Sequence, residues 1–383
     1  MKKIFYWSPH ISNVATIKNV QNSAMSLKKY YKKSLNVSII DVVGEWLKYK
    51  KEIDALKINR IELPGLKLNK FFPIEGFFKS RIVFFLIFFF KYWSLKKIIK
   101  NEKPDYFIIH LISFLPLSLM IFSKFETRFI LRISGLPKLT ILRKIFWKII
   151  SKKIYMVTCP SHQTKQDLLK TGIFPEKILK ILYDQIIEVN KIKKFLIKKE
   201  KSDLINKKYL LNIGRLTKQK NQILLMKAFS QISTNNEDLK LIIVGDGEER
   251  ANLENYVKFQ NLENKVFLTG FIENIYPYIK NSIAVVSTSL WEDPGAVMIE
   301  ASFCNKNVIS SNCPNGPEEF LSSDMGNYLF KNNDLDSLVD KINSFLKDSE
   351  NKKIAQVLSC KKKLRNYTIF KHYKKLILLL NLN

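Results

Sequence analysis

Residues 209–247 read YLLNIGRLTKQKNQILLMKAFSQISTNNEDLKLIIVGDG. The run from Tyr209 to Ile213 is uncharged and ends at Gly214. From Asn221 to Ile232 the apolar residues fall at helical intervals, and a second apolar run at 239–244 ends in Gly-Asp-Gly. Strand, helix, strand in this order is the parallel crossover unit, and near-continuous apolar strands are those buried on both faces. The pattern continues outward. VFLTGF (266–271), IAVVSTS (283–289) and NVISSN (307–312) read as strands, and AVMIEASF starts a helix. Upstream, KKIFYW (2–7), NVSIIDVV (36–43), PDYFIIHLI (104–112), RFILRIS (128–134) and KIYMVTCPS (153–161) read as strands. Helical spacing runs through NVQNSAMSLKKYYKK and HQTKQDLLKTG. The class is α/β, with two doubly wound parallel-sheet domains. The charged stretch 191–206 reads as a linker, which puts the domains at 1–190 and 207–365. Helices are expected at 334–348 and 351–383. No repeat of fixed period is present.

The chain has 383 residues and a net charge of +30. Only eight of its 64 cationic residues are arginine, a lysine excess that an A+T-rich coding sequence would produce. Placement says more than the total. Residues 1–200 carry 39 basic and 14 acidic side chains, whereas 201–383 carry 25 and 20. Residues 351–383 hold nine basic residues and no acid. A basic first half with apolar stretches suits an anionic membrane surface. Nucleic acid is the rival partner, and scarce arginine argues against it. The four cysteines show no zinc spacing and read as reduced thiols. MKKIFYWSPH reaches Pro9 too early for a signal peptide. IVFFLIFFF (82–90) is far short of the roughly 20 residues that span a bilayer. It suits either a core helix or an apolar face in the membrane interface.

Ligands of open parallel sheets bind beyond the carboxyl ends of the strands. GRLTKQKN follows the strand at 209–213. Gly214 allows a tight turn, and Arg215 and Lys220 straddle a helix start, an arrangement suited to a diphosphate. WEDPGAVMIEA (291–301) follows the strand at 283–289. Pro294 can occupy the first helical position, leaving the N–H groups of Gly295, Ala296 and Val297 for a phosphate or sugar hydroxyls. Glu292 lies before that helix and Glu300 about one and a half turns inside it. Two carboxylates so placed reach different parts of one elongated ligand, and they are good acceptors for vicinal hydroxyls. Taken alone, a capping acid and an exposed helix acid would fit as well. His110 at a strand end suits a half-buried histidine or a ligand contact. Arg132 is a strand-end cation that an acceptor phosphate could meet. The Asp-x-Asp of NNDLDSL (332–338) reads as a helix cap.

The stretch from Leu210 to about Leu321 resembles the retaining, nucleotide-sugar-dependent glycosyltransferases of family 4, which have the GT-B fold. NIGRLTKQKNQILLMKAF, LIIVGDGEER, VFLTGF and EDPGAVMIEASFCNKNVISSNCPNGPEEFL carry the resemblance, with the E-x7-E motif as Glu292 and Glu300. CPNGPEEFL, SPHISNVATIKNVQNSAMSLKKY and LRISGLPKLT are similar to the subset that builds bacterial O-antigen, capsule or lipooligosaccharide sugars.

The resemblance implies two Rossmann-like domains facing a cleft, with the last helix, about 366–383, returning to the first. It implies that Arg215 and Lys220 neutralise the departing nucleotide diphosphate, so that no metal or other cofactor is required. Glu300 would hold the ribose, Glu292 with the following amides the donor sugar, and the segment Gly270, Phe271, Ile272 would lie against the base. The loop after the first strand, with Asn13 and Ala15, would approach the donor. Ala15 stands where the family often has glycine. The donor would be a UDP-hexose or UDP-N-acetylhexosamine. The acceptor would be a lipid-linked or lipid-anchored glycan, met by the first domain at the inner face of the cytoplasmic membrane. Other readings stay open: another GT-B activity such as a nucleotide-sugar epimerase, a sugar-binding protein without activity, or a basic nucleic-acid-binding protein.

Overall fold

The computed structural model describes residues 1–11, 15–65, 67–71, 77–135, 137, 139–198, 203–322 and 327–382. The chain forms two compact units, Met1–Gln185 with Ile369–Asn383, and Ile186–Thr368. In the first, strands β1 (Lys2–Trp7), β2 (Leu35–Asp41), β3 (Asn59–Glu62), β4 (Tyr106–Ile109), β5 (Arg128–Arg132), β6 (Met156–Cys159) and β7 (Leu179–Ile181) form one sheet. Their order is β3-β2-β1-β4-β5-β6-β7, all parallel. Between them run α1 (Ala15–Tyr30), α2 (Lys50–Ala55), α3 (Phe77–Glu102), α4 (Phe114–Phe122), α5 (Ile141–Ile150) and α6 (His162–Lys170).

The second unit starts with α7 (Val189–Leu196). Its sheet holds β8 (Tyr209–Ile213), β9 (Lys240–Val244), β10 (Val266–Gly270), β11 (Ala284–Ser287), β12 (Val308–Ser311) and β13 (Leu329–Phe330). The order is β10-β9-β8-β11-β12-β13, again all parallel. Its other helices are α8 (Gln222–Ile232), α9 (Arg250–Phe259), α10 (Tyr276–Asn281), α11 (Ala296–Phe303), α12 (Pro317–Leu321), α13 (Leu335–Lys347) and α14 (Glu350–Leu364). The last helix, α15 (Ile369–Leu379), belongs to the first unit.

Side chains alternate across a strand, so each sheet builds two cores. In β1, Phe5 and Trp7 face α3, α4 and α5, while Ile4 and Tyr6 face α1 and α15. Helix α3 shows why the apolar run at 82–90 admits two readings. Val83, Ile87, Leu95 and Ile99 form a buried stripe, and Lys91 is drawn in with them, its Nζ bonding Leu63 O and Pro64 O. Ile82, Phe85, Phe89, Phe90 and Trp93 are left exposed on the other side. No helix among the described residues is long and apolar enough to cross a membrane.

The units divide at Gln185 and Thr368 rather than at the expected 190 and 366. The stretch expected to be a linker, 191–206, includes most of α7, which is part of the second unit. Ile192 is buried, Phe195 packs on Tyr276 with ring centroids 6.0 Å apart, and the N–H groups of Ile186 and Ile187 both reach Tyr367 O. The lysines of that stretch mask an apolar stripe one turn apart. Residues 199–202 of it lie outside the described residues. The expected helix at 351–383 is two helices, broken where the chain leaves the second unit. Asp334 caps α13 as expected, its Oδ1 accepting from Ser337 N at 3.0 Å.

All four histidines lie in the first unit. Burial pushes His10 down to about 4 and His372 down to about 4. His372 is held by Ser23 Oγ at 2.9 Å and Tyr183 O at 2.8 Å. His110 keeps some surface, but its Nδ1 is buried without a hydrogen bond among the described residues, and desolvation, then Arg132, lower it to about 3. These folded values lie below the unfolded value of about 6.5, so between them the unfolded chain binds more protons. The stabilisation is complete above about pH 6.5 and is lost as the pH falls towards 4, by roughly 1–2 kcal/mol per histidine at pH 5. Acidification is therefore expected to open the first unit before the second. Hydrogen exchange with mass spectrometry between pH 7 and 4 reads this directly, and equal opening of both units would contradict it.

Candidate active site

The second sheet reverses its direction of winding between β8 and β11, which lie side by side with Ala284 opposite Leu210. Ligands of such sheets bind beyond the strand ends at this switch point. The loop after β8 is fixed from below. A Cβ on Gly245 would stand 1.8 Å from Gly214 O, so only glycine lets the two strand-end turns lie back to back. Gly214 N–H bonds Val244 O at 3.0 Å and Leu216 N–H bonds Asp246 O at 2.9 Å. Arg215, between these anchors, is exposed and its guanidinium meets no partner among the described residues.

Lys220 folds towards the loop after β11. Its Nζ lies 2.6 Å from Glu292 Oε1, which also accepts from Ser289 Oγ at 2.6 Å. Glu292 is 7% exposed. The backbones of the two loops are laced together: Leu290 N–H to Gln219 O at 2.8 Å, Gln219 Nε2 to Trp291 O at 2.8 Å, and Thr288 Oγ1 to Asn221 O at 2.9 Å. The cation and acid read separately from the sequence are thus one ion pair on a stiff frame. A carboxylate carries about four acceptor sites, so Glu292 keeps capacity for a ligand hydroxyl.

The helix starts two residues later than a first helical position at Pro294 would put it. Gly295 is its cap residue, in the left-handed region at φ +94°, and Ala296 rather than Pro294 opens α11. A Cβ on Gly295 would meet Met298 Cε at 2.2 Å. Met298 N–H turns back to Gly295 O at 3.1 Å, whereas the N–H groups of Ala296 and Val297 meet no backbone acceptor among the described residues. They stand at the positive end of the helix.

Glu300, on the buried side of α11, accepts a hydrogen bond from Tyr276 OH at 2.9 Å. Burial, then the Glu300 charge, hold the Tyr276 phenol far above its ordinary range, so it stays a donor. Tyr276 opens α10, just beyond β10. Gly270, ending that strand at φ +76°, accepts from Gly245 N–H at 2.8 Å. Phe271 after it is 81% exposed and Ile272 half-buried. Tyr276 and Ser289 were not singled out from the sequence. Ser289 stands three residues from Glu292 in an already suspect loop. Tyr276 is 24 positions from Glu300, and only the sheet order brings them together.

The first-unit candidates fare differently. Arg132 is buried, with its guanidinium on Leu182 O and on Asp184 Oδ1, the latter at 2.5 Å. This corrects the expectation of a cation open to an acceptor phosphate: Arg132 joins β5 to the strand β7 side of the core. His110, 6.1 Å from the Tyr6 ring, lies with Arg132 and His372 around a small internal cavity. Ala15 opens α1, and Asn13 lies outside the described residues.

Residues 194–365 match the family model for glycosyl transferases group 1. An uncharacterized glycosyltransferase of Methanocaldococcus jannaschii is 30% identical over 250 residues, 61% of this chain and 62% of that one. A Campylobacter jejuni protein named N-acetylgalactosamine-N,N'-diacetylbacillosaminyl-diphospho-undecaprenol 4-alpha-N-acetylgalactosaminyltransferase is 27% identical over 236 residues, 60% of this chain and 63% of that one. The chain thus matches about three fifths of the length of these curated relatives. The Anabaena HepE protein, solved with UDP and glucose, superposes over all of both chains with a TM-score of 0.73 at 15% identity. That likeness is one of fold: two Rossmann-like units of the GT-B kind.

Proposed function

Starting from residues 194–365 as a glycosyl transferases group 1 unit, we propose that this chain is a retaining glycosyltransferase. It moves a hexosyl or N-acetylhexosaminyl group from a UDP-sugar to a glycan carried on a membrane lipid, in surface polysaccharide synthesis. The observation that carries the reading is the switch-point cluster: an unengaged Arg215, the Lys220–Glu292 pair and the open start of α11.

The chemistry follows from charge. Breaking the bond between the anomeric carbon and the diphosphate oxygen puts negative charge on the leaving group. Arg215 and Lys220 sit where that charge develops, on loops that need no reorganisation. Two fixed cations and helix N–H groups supply what a divalent ion would otherwise supply, so no metal is required. Glu292 holds sugar hydroxyls and Glu300 a ribose hydroxyl, while the end of β10 lies against the base. With Lys220 and Ser289 on its Oε1, Glu292 serves as a positioning group and not as a nucleophile. Retention then comes from attack by the acceptor hydroxyl on the face the diphosphate leaves, its proton passing to the departing diphosphate oxygen, without a covalent enzyme intermediate.

The membrane part rests on two supports. The exposed face of α3 is apolar and aromatic, and lysines surround it. The Campylobacter relative is named for an acceptor that is a diphospho-undecaprenol glycan. We place the protein peripherally at the inner face of the cytoplasmic membrane. Nucleic acid is the weaker partner because it leaves the buried Glu292 and Glu300 without a role.

The test is a panel of nucleotide sugars in EDTA, read by slow donor hydrolysis and thermal shift. One UDP-hexose or UDP-N-acetylhexosamine is expected to stabilise and turn over. Tyr276→Phe should raise its KM several-fold, because Glu300 loses its fixed orientation. No response to any nucleotide sugar, or turnover only with added magnesium, would overturn the reading.

A further inference from the structure

The chain has five tryptophans, and four of their rings are engaged. Trp7 packs on Phe107, Trp46 on His10, Trp147 on Phe174, and Trp93 on Tyr92, with Lys96 Nζ 4.9 Å from its ring centre. Trp291 is the exception. It is 50% exposed, and its ring meets no aromatic ring, no cation and no hydrogen-bond acceptor among the described residues. Yet the backbone that carries it is held from three sides. Leu290 O accepts from Asn332 Nδ2 at 3.1 Å, Trp291 O accepts from Gln219 Nε2 at 2.8 Å, and Glu292 N–H bonds Pro314 O at 3.2 Å. An indole on so fixed a backbone presents a large flat face at little cost in conformational entropy, because only its two side-chain torsions remain.

The place of the ring says what it would meet. Trp291 and Glu292 are neighbours in the loop at the carboxyl end of β11, yet Glu292 is buried and Trp291 is not. The carboxylate is turned in, where the proposed reading puts the donor sugar, and the indole is turned out. The tie to Gln219 sets the direction. Gln219 directly precedes Lys220 in the loop that meets the leaving diphosphate, so Trp291 stands on the diphosphate side of the donor sugar. In a retaining displacement the acceptor hydroxyl arrives from that same side. A pyranose presents a face of C–H bonds, and the electron-rich face of an indole attracts their slightly positive hydrogens. The indole N–H adds one donor for a sugar hydroxyl. We infer that Trp291 is the platform on which the terminal sugar of the acceptor stacks, its C–H face on the indole and its receiving hydroxyl towards the anomeric carbon. Such a platform selects a ring over an open chain and leaves hydroxyl stereochemistry to other groups. The inference rests on the proposed transferase reading and adds to it a residue for the acceptor.

The full chain, saturated with UDP, is titrated with the methyl pyranosides of glucose, galactose, N-acetylglucosamine and N-acetylgalactosamine, and binding is followed by saturation-transfer NMR. Sorbitol is the open-chain control. At least one pyranoside should bind saturably, and sorbitol should not. Trp291→Ala should weaken that pyranoside about tenfold or more, whereas Trp291→Phe should keep most of its affinity. The Kd for UDP should not move in either variant, which a merely structural role of the ring would not leave untouched. Unaltered circular dichroism and melting curves establish that the variants fold. The titration is repeated with saturating UDP-glucose and UDP-N-acetylglucosamine in place of UDP. A sugar on Trp291 binds alongside them, whereas a sugar in the donor's own place is displaced, and displacement would overturn the inference. So would undiminished pyranoside binding by Trp291→Ala, or an equal loss of affinity for pyranoside and UDP-sugar in that variant, which would give the ring to the donor. If UDP binds and no pyranoside does, the platform falls and the transferase reading stands. If neither UDP nor a UDP-sugar binds, both fall.

Discussion

Arg215→Ala is expected to lower kcat for sugar transfer by about 10²–10³, with KM for the donor changed only a few-fold. The expectation comes from how Arg215 is held. Its neighbours are pinned by Gly214 N–H on Val244 O and Leu216 N–H on Asp246 O, while the side chain is exposed and unengaged. A cation in that state costs the fold little to remove. It interacts with a diphosphate already in the ground state, but more strongly as the glycosidic bond breaks and charge accumulates. Only that difference accelerates the reaction. Arg215→Lys should recover part of the rate, since the charge returns without the fork. Steady-state kinetics in EDTA separate the possibilities. A rise in KM with kcat intact would make Arg215 a ground-state binder and remove it from catalysis. A fall in melting temperature of the same variant would show that the side chain supports the loop instead.

Much of this site was legible because its chemistry is dense in sequence. Glycines, cations and acids at strand ends stand out against lysine-rich surroundings, and the central strands announce themselves by being apolar on both faces. What stayed hidden has physical causes. The β3 strand, NRIE, is an edge strand whose Asn59 and Glu62 face solvent, so it shows no apolar run. The β13 strand is two residues long. The α7 helix looked like a charged linker because its buried side rests on Ile192, with Phe195 one turn on. Arg132 looked like a free strand-end cation because Asp184, its partner, arrives 52 residues later. The Lys220–Glu292 pair could not be read at all from one strand end. It exists because β8 and β11 are neighbours, and strand order is not written in either segment.

That pair gives the second large effect, and here stability and activity should separate. Lys220→Met leaves the Glu292 carboxylate 9% exposed at its side chain, held by Ser289 but without its counter-ion. Removing one partner of a buried pair strands the other charge, at a cost of about 3–5 kcal/mol when burial is complete. With Lys220 itself 23% exposed, about 2–3 kcal/mol is the reasonable expectation. In a unit of this size that lowers the melting temperature by roughly 5–10 °C. Glu292→Gln should destabilise less, because the freed lysine can turn to water, yet it removes the charge and replaces one of the two acceptor oxygens offered to the sugar hydroxyls with a donor, and should cut kcat/KM about 10–100-fold. The double variant, Lys220→Met with Glu292→Gln, should be more stable than Lys220→Met alone and less active than either. Such a sign-reversed coupling in stability arises only between groups that touch. If the two stability losses simply add, the 2.6 Å pair does not persist in solution, and Lys220 and Glu292 act on the donor independently.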